Sequence, residues 1–402
     1  MALKDTDART VWALLVLWSL AFWMFDRGGP GQDMSALYFA AQFYWDGFAS
    51  EIYVRGSDFL TADSLAWRLA GEREGFDPEL LTPFVYPPIW AVVLAPFAAV
   101  STAQSFVDGA LLVLSLSFLP MIWGSWRLAA PEVPFAYWAI ASVLIIEITA
   151  PFVLAAGLVQ PQILVTALIV GSFAMVREGR PWGAGGLLAL AAAIKLTPAI
   201  LVVLFLAGRF WRASAAFALI GGALGLTSIA FAGWPLHRLM FEQLALLQEA
   251  QLVSRVNLSV LQLLAVARDP TAVPLDAGSA WVPVPGAVDA LGYGLILLGL
   301  VLACVTIRQG RIALALGLAW MGLLVGLPLS WTHYAMLPMC LLPAALSASR
   351  VWQGAAVLCV LASSLDVYRF LIAGPLTNAM VASVVVTCVA FALLIARAGK
   401  RT

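Results

Sequence analysis

Apolar stretches long enough to cross a lipid bilayer follow one another along almost the whole chain. A membrane-spanning helix needs about 20 mostly apolar residues, and fewer when other helices enclose it. Candidate spans occupy residues 11–25, 86–100, 106–125, 135–153, 158–176, 183–208, 213–232, 285–306, 311–327, 332–348, 351–372 and 377–397. We therefore predict an all-α fold, a polytopic transmembrane helical bundle of about 12 spans that forms one domain, 1–402.

The composition excludes an ordinary soluble fold. Apolar residues make up 62% of the chain and charged residues 11%, with a mean hydropathy of +0.95, whereas soluble domains carry about 45–50% and about 25%. The net charge is zero, so no basic field attracts nucleic acid. The four cysteines have no CxxC spacing. We predict neither a metal site nor a cofactor, and a lipid bilayer as the surrounding medium.

The basic residues indicate which loops face outward. Arg397, Lys400 and Arg401 place the C-terminus in the cytoplasm by the positive-inside rule. Residues 26–85 then form a long first periplasmic loop, and residues 233–284 form a second outer region. Three segments are predicted as amphipathic helices that lie on the membrane surface: Met34–Phe48, Ala62–Glu74 and Leu236–Val253. A bacterial inner membrane, with the active site facing the periplasm, is the expected location.

Two basic pieces fit this topology badly. Arg127 and the run Arg177–Arg180 would lie outside, where basic residues are rare. Both move inside if 183–208 dips into the membrane and returns, breaking at the Lys195–Pro198 segment, and if 86–100 does not fully span. The sequence leaves both versions open, and both keep the same loops outside.

Asp33 and Lys195 are the charged residues most suggestive of chemistry. Asp33 follows a Gly-Gly-Pro-Gly turn just after the first apolar stretch, although it could merely cap a helix that starts at Ser35. Lys195 lies in an apolar run, where a lysine costs about 2.5–3.5 kcal/mol on insertion scales. A cation there suits a phosphate group, and the structural alternative is an ion pair with Glu147.

Four polar residues at predicted helix ends are further candidates. Gln160, before Pro161, could bind sugar hydroxyls or satisfy freed backbone groups, and Asn257 could bind substrate or cap a helix. His333 stands at the outer end of a span, where it is either an active-site group or a hydrogen-bonded structural residue. Tyr86 precedes two prolines that open a helix, and could line an entrance to the site.

The order of these motifs resembles glycosyltransferase family 87, the polyprenol-phosphate-mannose-dependent alpha-1,2-mannosyltransferase-like proteins with the membrane GT-C architecture. The resemblance covers about residues 30 to 340. Its motifs, in chain order, are Asp33, Tyr38-Phe-Ala-Ala, Tyr86-Pro-Pro-Ile-Trp90, Gln160, Ala193-Ile-Lys195-Leu-Thr-Pro198, Asn257-Leu-Ser259 and Pro328-Leu-Ser-Trp-Thr-His333.

The resemblance implies a sugar donor linked to a polyprenyl phosphate, usually mannose, and a glycolipid or glycan acceptor. It implies inversion at the anomeric carbon, with Asp33 as the catalytic base and His333 as an assisting catalytic group. The substrate-binding residues would be Lys195, Gln160, Asn257 and Tyr86.

A membrane transporter or flippase of a lipid-linked sugar is the alternative function. Lys195, Glu147 and helices broken by proline would also suit a substrate pathway through the membrane. Transporters usually have paired repeats and short loops, and this sequence has neither. A ligase-like or polymerase-like enzyme would place its basic residues in a large late outer loop, which here is poor in arginine and histidine.

Overall fold

The computed structural model describes residues 8–53, 62, 64–78, 81–130, 132–246, 250–254, 256–268, 279–283 and 286–367, and they form a helical bundle. The helices are α1 (Ala8–Asp26), α2 (Gln32–Trp45), α3 (Leu65–Arg73), α4 (Ile89–Ala99), α5 (Ala103–Ala129), α6 (Phe135–Ile148), α7 (Ala150–Gly157), α8 (Gln162–Arg177), α9 (Pro181–Ile194), α10 (Val202–Ala207), α11 (Trp211–Leu246), α12 (Leu261–Arg268), α13 (Gly286–Arg308), α14 (Ile312–Gly326), α15 (Met336–Met339) and α16 (Arg350–Ala362). Strands β1 (Ala250–Ser254) and β2 (Ser279–Pro283) pair antiparallel. The all-α prediction is confirmed, with this ribbon as an addition.

Four of the described helices, α1, α5, α11 and α13, are long and apolar enough to cross a membrane. Shorter apolar helices fill much of the remaining bundle. The predicted span 332–348 is instead a series of short turns, Thr332–Ala335, α15 and Leu342–Ser347, because its two prolines remove backbone donors. The predicted span 377–397 lies outside the described residues. The count of about 12 spans is therefore not confirmed.

Helix α9 and the start of α11 run in the same direction. Gly185 of α9 lies against the beginning of α11, where an added Cβ would come within 2.6 Å of the Ala216 Cβ. Further along both helices, a Cβ on Gly221 would lie 3.8 Å from the Ala189 Cβ. Because α9 and α11 run in the same direction, the segment from Lys195 to α10 must bring the chain back to the end of the bundle where α9 begins. This arrangement matches the version of the topology in which 183–208 dips and returns.

Basic residues gather where these helices begin, at what we call the basic end. Arg127 of α5 pairs with Glu178 at 2.6 Å (Nε to Oε1). Arg177 donates to a backbone carbonyl at the end of α5 at 2.6 Å, and Arg308 donates to the carbonyl of Ala207 at 3.3 Å. The two pieces that fitted the first topology badly thus lie beside the other arginines. Helix α4 has 11 residues and is about 16 Å long, which is too short to span the membrane. This agrees with the version of the topology in which 86–100 does not fully span.

The opposite end, called the site end, contains the start of α5. Gly31 packs on Val107 of α5 and on Val159, and Trp23 donates to the carbonyl of Asp108 at 2.8 Å. Along α5, Val107 and Arg127 are about 30 Å apart at 1.5 Å per residue. The two ends are therefore separated by about the thickness of a hydrocarbon core.

The predicted surface helices differ from those observed. Helix α2 overlaps Met34–Phe48 but is largely buried, with Met34 to Ala41 enclosed against α4 and α5. Helix α3 buries Trp67 and leaves Leu65 73% exposed. Helix α11 is kinked at Gly233, whose backbone is non-helical (φ 77°, ψ 153°). The segment predicted as one helix over Leu236–Val253 comprises helical residues after this kink and strand β1. Apolar periodicity identified a buried face at α2, and the rest of the protein, instead of lipid, covers it.

Candidate active site

Asp33 lies in the first turn of α2, in a position fixed by the glycine before it. Gly31 has a left-handed backbone (φ 48°), and an added Cβ would lie 2.9 Å from Val159 Cγ2. The backbone N–H of Asp33 donates to the carbonyl of Leu158 at 3.1 Å. Helix α2 already begins at Gln32, and its N-cap residue Gly31 offers no side chain. The alternative in which Asp33 only caps a helix starting at Ser35 is therefore wrong.

The Asp33 carboxylate accepts hydrogen bonds from two neighbours while it is half-buried. Gln160 Nε2 donates to its Oδ2, and the Thr82 hydroxyl lies 3.4 Å from its Oδ1. Burial raises the pKa of Asp33 to about 6, although Lys195, Thr82 and Gln160 all act to lower it. A carboxylate with this pKa is ionised at neutral pH and is a stronger base than an exposed aspartate.

Gln160 is aimed at Asp33 by a strained turn at the end of α7. The N–H of Gln160 donates to Ala155 (2.8 Å) and that of Val159 to Ala156 (2.9 Å), which is the Schellman pattern that ends many helices. That pattern places a left-handed residue, usually glycine, where this chain has Val159 with φ 50°. A left-handed β-branched residue is strained by about 1–2 kcal/mol. Such strain is often found at functional sites.

Tyr86 completes the surroundings of Gln160. Its hydroxyl donates to Gln160 Oε1 at 3.0 Å, and its side chain is 3% exposed. Its own carbonyl accepts from the Tyr53 hydroxyl at 2.6 Å, which fixes the start of α4. Both Gln160 and Tyr86 were predicted to bind substrate; in the structure Gln160 donates to Asp33 and Tyr86 donates to Gln160.

Lys195 occupies the break between α9 and the returning segment. Its backbone is extended (φ −136°, ψ 134°), which ends α9. Its Nζ lies 5.0 Å from the ring centroid of Tyr334 and 5.8 Å from that of Tyr86, within the range of cation–π attraction. The alternative ion pair with Glu147 is wrong, because Glu147 accepts a hydrogen bond from the Trp18 indole at 2.6 Å and does not pair with Lys195.

His333 lies next to Lys195 across a tyrosine ring. The imidazole is 4% exposed, stacks on Trp331 with 6.4 Å between centroids, and meets Tyr334 edge-on at 5.0 Å. Within the described part of the chain its buried Nε2 has no hydrogen-bond partner. Tyr334 contacts both His333 and Lys195 and was not among the predicted residues. Its only signal in the sequence is its place next to the histidine.

Asn257 does not face the site with a free amide. Its Nδ2 donates to the carbonyls of Leu252 (2.7 Å) and Pro328 (3.0 Å). Its Oδ1 accepts from the N–H groups of Ser259 (3.1 Å) and Ser330 (2.8 Å). An asparagine amide has two donors and two acceptor positions, so all are used. Asn257 thus fixes the loop that leads to His333. Its role in substrate binding stays a prediction.

The site is therefore a carboxylate, a cation and a buried imidazole at the ends of several helices. Asp33 starts α2, Gln160 precedes α8, Lys195 follows α9 and His333 follows α14. Such a set can accept a proton from one group and stabilise negative charge on another. Among the residues that the structure describes, no group of three His, Cys, Asp or Glu side chains could hold a metal. Independence from metals and cofactors stays a prediction.

Comparison with known proteins identifies the family. Residues 84–329 match the model of Glycosyltransferase family 87, more than half of the chain. The chain belongs to this family. The resemblance noted in the sequence is thereby confirmed, and glycosyltransferase family 87 membership, together with the four long apolar helices, makes the protein a membrane glycosyltransferase.

A solved structure adds a more distant likeness. ArnT from Cupriavidus metallidurans, bound to undecaprenyl phosphate, is 17% identical, and the match covers 97% of this chain and 78% of that chain with a TM-score of 0.39. No curated protein matches the sequence.

Proposed function

We propose that the protein transfers a hexose, with mannose the first to test, from a polyprenyl-phosphate donor to a hydroxyl of a glycolipid or glycan, with inversion. The bond between the anomeric carbon and the phosphate oxygen breaks, and its electron pair leaves with the polyprenyl phosphate. The acceptor oxygen bonds the anomeric carbon from the opposite face, and its proton passes to Asp33. No general acid is needed, because a phosphate leaves without protonation at neutral pH.

The observation that carries the proposal is the presence of Asp33 and Lys195 in one site. The two charges are close enough that Lys195 lowers the pKa of Asp33. Lys195 is half-buried at the end of an apolar helix and is flanked by two aromatic rings. Its ammonium group would stabilise the phosphate as negative charge develops on it. A lipid tail would extend from such a phosphate along the apolar bundle.

The two ends of the bundle support an orientation. The arginines at the basic end fit the cytoplasmic side of a bacterial inner membrane by the positive-inside rule. Asp33 lies about 30 Å along α5 from that end, on the periplasmic side in this orientation. The transfer would then use a donor whose sugar is exposed at the outer face.

The test uses the purified full chain in nanodiscs with undecaprenyl-phosphate-linked mannose, glucose, galactose and arabinose, and a membrane glycolipid extract as acceptor. Release of undecaprenyl phosphate is followed for the wild type and for Asp33→Asn. We expect release with one donor, its loss in Asp33→Asn, and an inverted anomeric configuration in the product by NMR.

Two results would overturn the proposal. Undiminished release by Asp33→Asn would remove the assigned base. Consumption of none of the donors, together with movement of a lipid-linked sugar across proteoliposomes, would establish the transporter function in place of the transferase.

A further inference from the structure

We propose that Gln160 and Tyr86 are positioning residues that form a hydrogen-bonded chain, Tyr86–Gln160–Asp33, and that this chain assigns different roles to the two oxygens of the base. In this arrangement Oδ2 is held by the protein, and Oδ1 takes the proton of the acceptor. The inference rests on the proposed function, since it needs Asp33 as the base.

The direction of each hydrogen bond in the chain follows from its donors and acceptors. Gln160 Oε1 can only accept, and it accepts from the Tyr86 hydroxyl at 3.0 Å. With Oε1 turned to Tyr86, the Nε2 group necessarily points to the other side, where it donates to Asp33 Oδ2. A flipped amide would bring two acceptors together at Asp33. The ionised carboxylate can only accept, so it requires Nε2 on its side. The Tyr86 hydroxyl, which donates to Oε1, holds the amide in that orientation, and the amide in turn holds the carboxylate.

Backbone contacts hold both ends of the chain. Val159, in its strained conformation, packs directly on Gly31, two residues before Asp33. The Tyr53 hydroxyl holds the carbonyl of Tyr86 at 2.6 Å. The base and its partner thus belong to one packed unit, so a sugar is not needed to order them.

The two oxygens of the carboxylate are unequally engaged. Oδ2 accepts from the amide, whereas Oδ1 has only the Thr82 hydroxyl at 3.4 Å, a weak hydrogen bond. Besides Gln160 and Thr82, the groups that face Asp33 electrostatically are Lys195, Tyr86 and Tyr334. Each oxygen can accept two hydrogen bonds, so Oδ1, with only this weak contact, has the greater free capacity for an incoming hydroxyl, and we assign it as the basic oxygen.

A hydrogen bond donated to a carboxylate favours its ionised form, so loss of the chain should make Asp33 easier to protonate. We expect Tyr86→Phe and Gln160→Leu to raise the apparent pKa of Asp33 by about one unit, and Gln160→Glu to raise it further through the added carboxyl group. Tyr86→Phe removes a single oxygen and keeps the ring, so it is the variant least expected to disturb folding.

The measurement needs no knowledge of the sugar. Dicyclohexylcarbodiimide adds to protonated carboxyl groups: a carboxyl oxygen bonds the central carbon and the proton passes to a nitrogen. The full chain in nanodiscs is treated between pH 4.5 and 9, and modification of the peptide that contains Asp33 is followed by mass spectrometry. The acid limb of kcat/KM, with the donor that the panel identifies, is recorded in parallel.

The pair Tyr38 and Gln42 is a matched control. Gln42 donates to the Tyr38 hydroxyl at 3.0 Å, and the Tyr38 side chain is 1% exposed. This pair lies on α2 without a hydrogen bond to Asp33. Tyr38→Phe and Gln42→Leu should leave both the modification profile and the acid limb at their wild-type pH.

The opposite pattern would overturn the inference. If Tyr86→Phe and Gln160→Leu keep both pH profiles unchanged and instead raise KM for the donor, the two residues contact substrate. Failure of the proposed function looks different, because Asp33→Asn would then still transfer sugar. This inference alone fails if Asp33 is essential but the pH profiles of Tyr86→Phe and Gln160→Leu equal that of the wild type.

Discussion

The two ends of the bundle hold their charged groups in different ways. At the basic end Arg127 has a carboxylate partner, Glu178, at 2.6 Å. At the site end Lys195 lies between two aromatic rings. Asp33 is the carboxylate that acts electrostatically on Lys195. It accepts hydrogen bonds from a neutral amide and a neutral hydroxyl group. The first arrangement satisfies a charge within the protein, and the second leaves both charges available to a ligand.

The presence or absence of a counter-ion within the protein separates structural from functional charge in an apolar bundle. A buried charge without a close counter-ion is destabilising unless a ligand supplies the missing interaction. Lys195 and Asp33 form no close ion pair with each other, so each remains available for a partner. The predictions that follow compare changes at the two ends, from the largest effect on turnover to the smallest.

The largest effect is expected from Asp33→Asn. An amide cannot accept the acceptor's proton, so turnover should fall by about 10²–10⁴-fold, the usual contribution of a general base. Asp46→Asn is the matched control, because Asp46 is exposed at the other end of the same helix, α2. It should retain wild-type turnover in the same release assay. Equal losses in the two variants would contradict a special role for Asp33.

Lys195→Met should lower turnover by about 10²-fold, since one positioned group that stabilises developing charge is lost. Arg127→Met removes a cation from the basic end, where the pair is partly exposed. It should leave turnover within about twofold and cost about 1 kcal/mol of stability or less. Turnover and thermal unfolding are measured for both. An equal loss of turnover from both variants would abolish the distinction between the ends.

The acid limb of the wild-type enzyme tests the state of the base. Below its pKa of about 6 Asp33 is protonated and cannot act. We therefore expect kcat/KM to be constant above about pH 7 and about tenfold lower at pH 5. Tryptophan fluorescence at each pH serves as the control for folding. A rate that stays constant down to pH 5 would show that no group with this pKa is needed.

Among the changes at the site end, the smallest effect on turnover is expected from Asn257→Ala. Two of its four hydrogen bonds hold the loop before His333, and each of the four typically contributes about 0.5–1.5 kcal/mol. The variant should unfold at a lower temperature while turnover falls by only about threefold through movement of that loop. Gln353→Ala, at an exposed amide on α16, is the control. A rise in KM with unchanged stability would assign Asn257 to substrate binding.

Several features of the fold and the site were predictable because their signals are local. The apolar stretches gave the helical class, and the Gly-Pro-Gly turn before Asp33 indicated a placed carboxylate. The lysine in an apolar run marked Lys195. Each inference depends on a few neighbouring residues, whose side-chain chemistry allows few structural or functional roles.

Other features depend on contacts between distant segments, which a single sequence does not show. The amide of Asn257 is satisfied by carbonyl and N–H groups of residues 328 and 330. Helix α2 has the periodicity of a surface helix, but α4 and α5 cover it. Tyr334 resembles one of many interfacial aromatics until its ring is found beside Lys195. Polarity and periodicity indicate whether a residue is buried, but they do not identify the segment that covers it.

The parallel course of α9 and α11 has a consequence for insertions and deletions. Because α9 begins at the basic end and Lys195 follows its last residue, the number of residues in α9 sets the depth and the azimuth of the ammonium group. One residue inserted between Gly185 and Ile194 would advance Lys195 by about 1.5 Å and rotate it by about 100°. Three or four inserted residues would restore its azimuth but carry it a full turn too far.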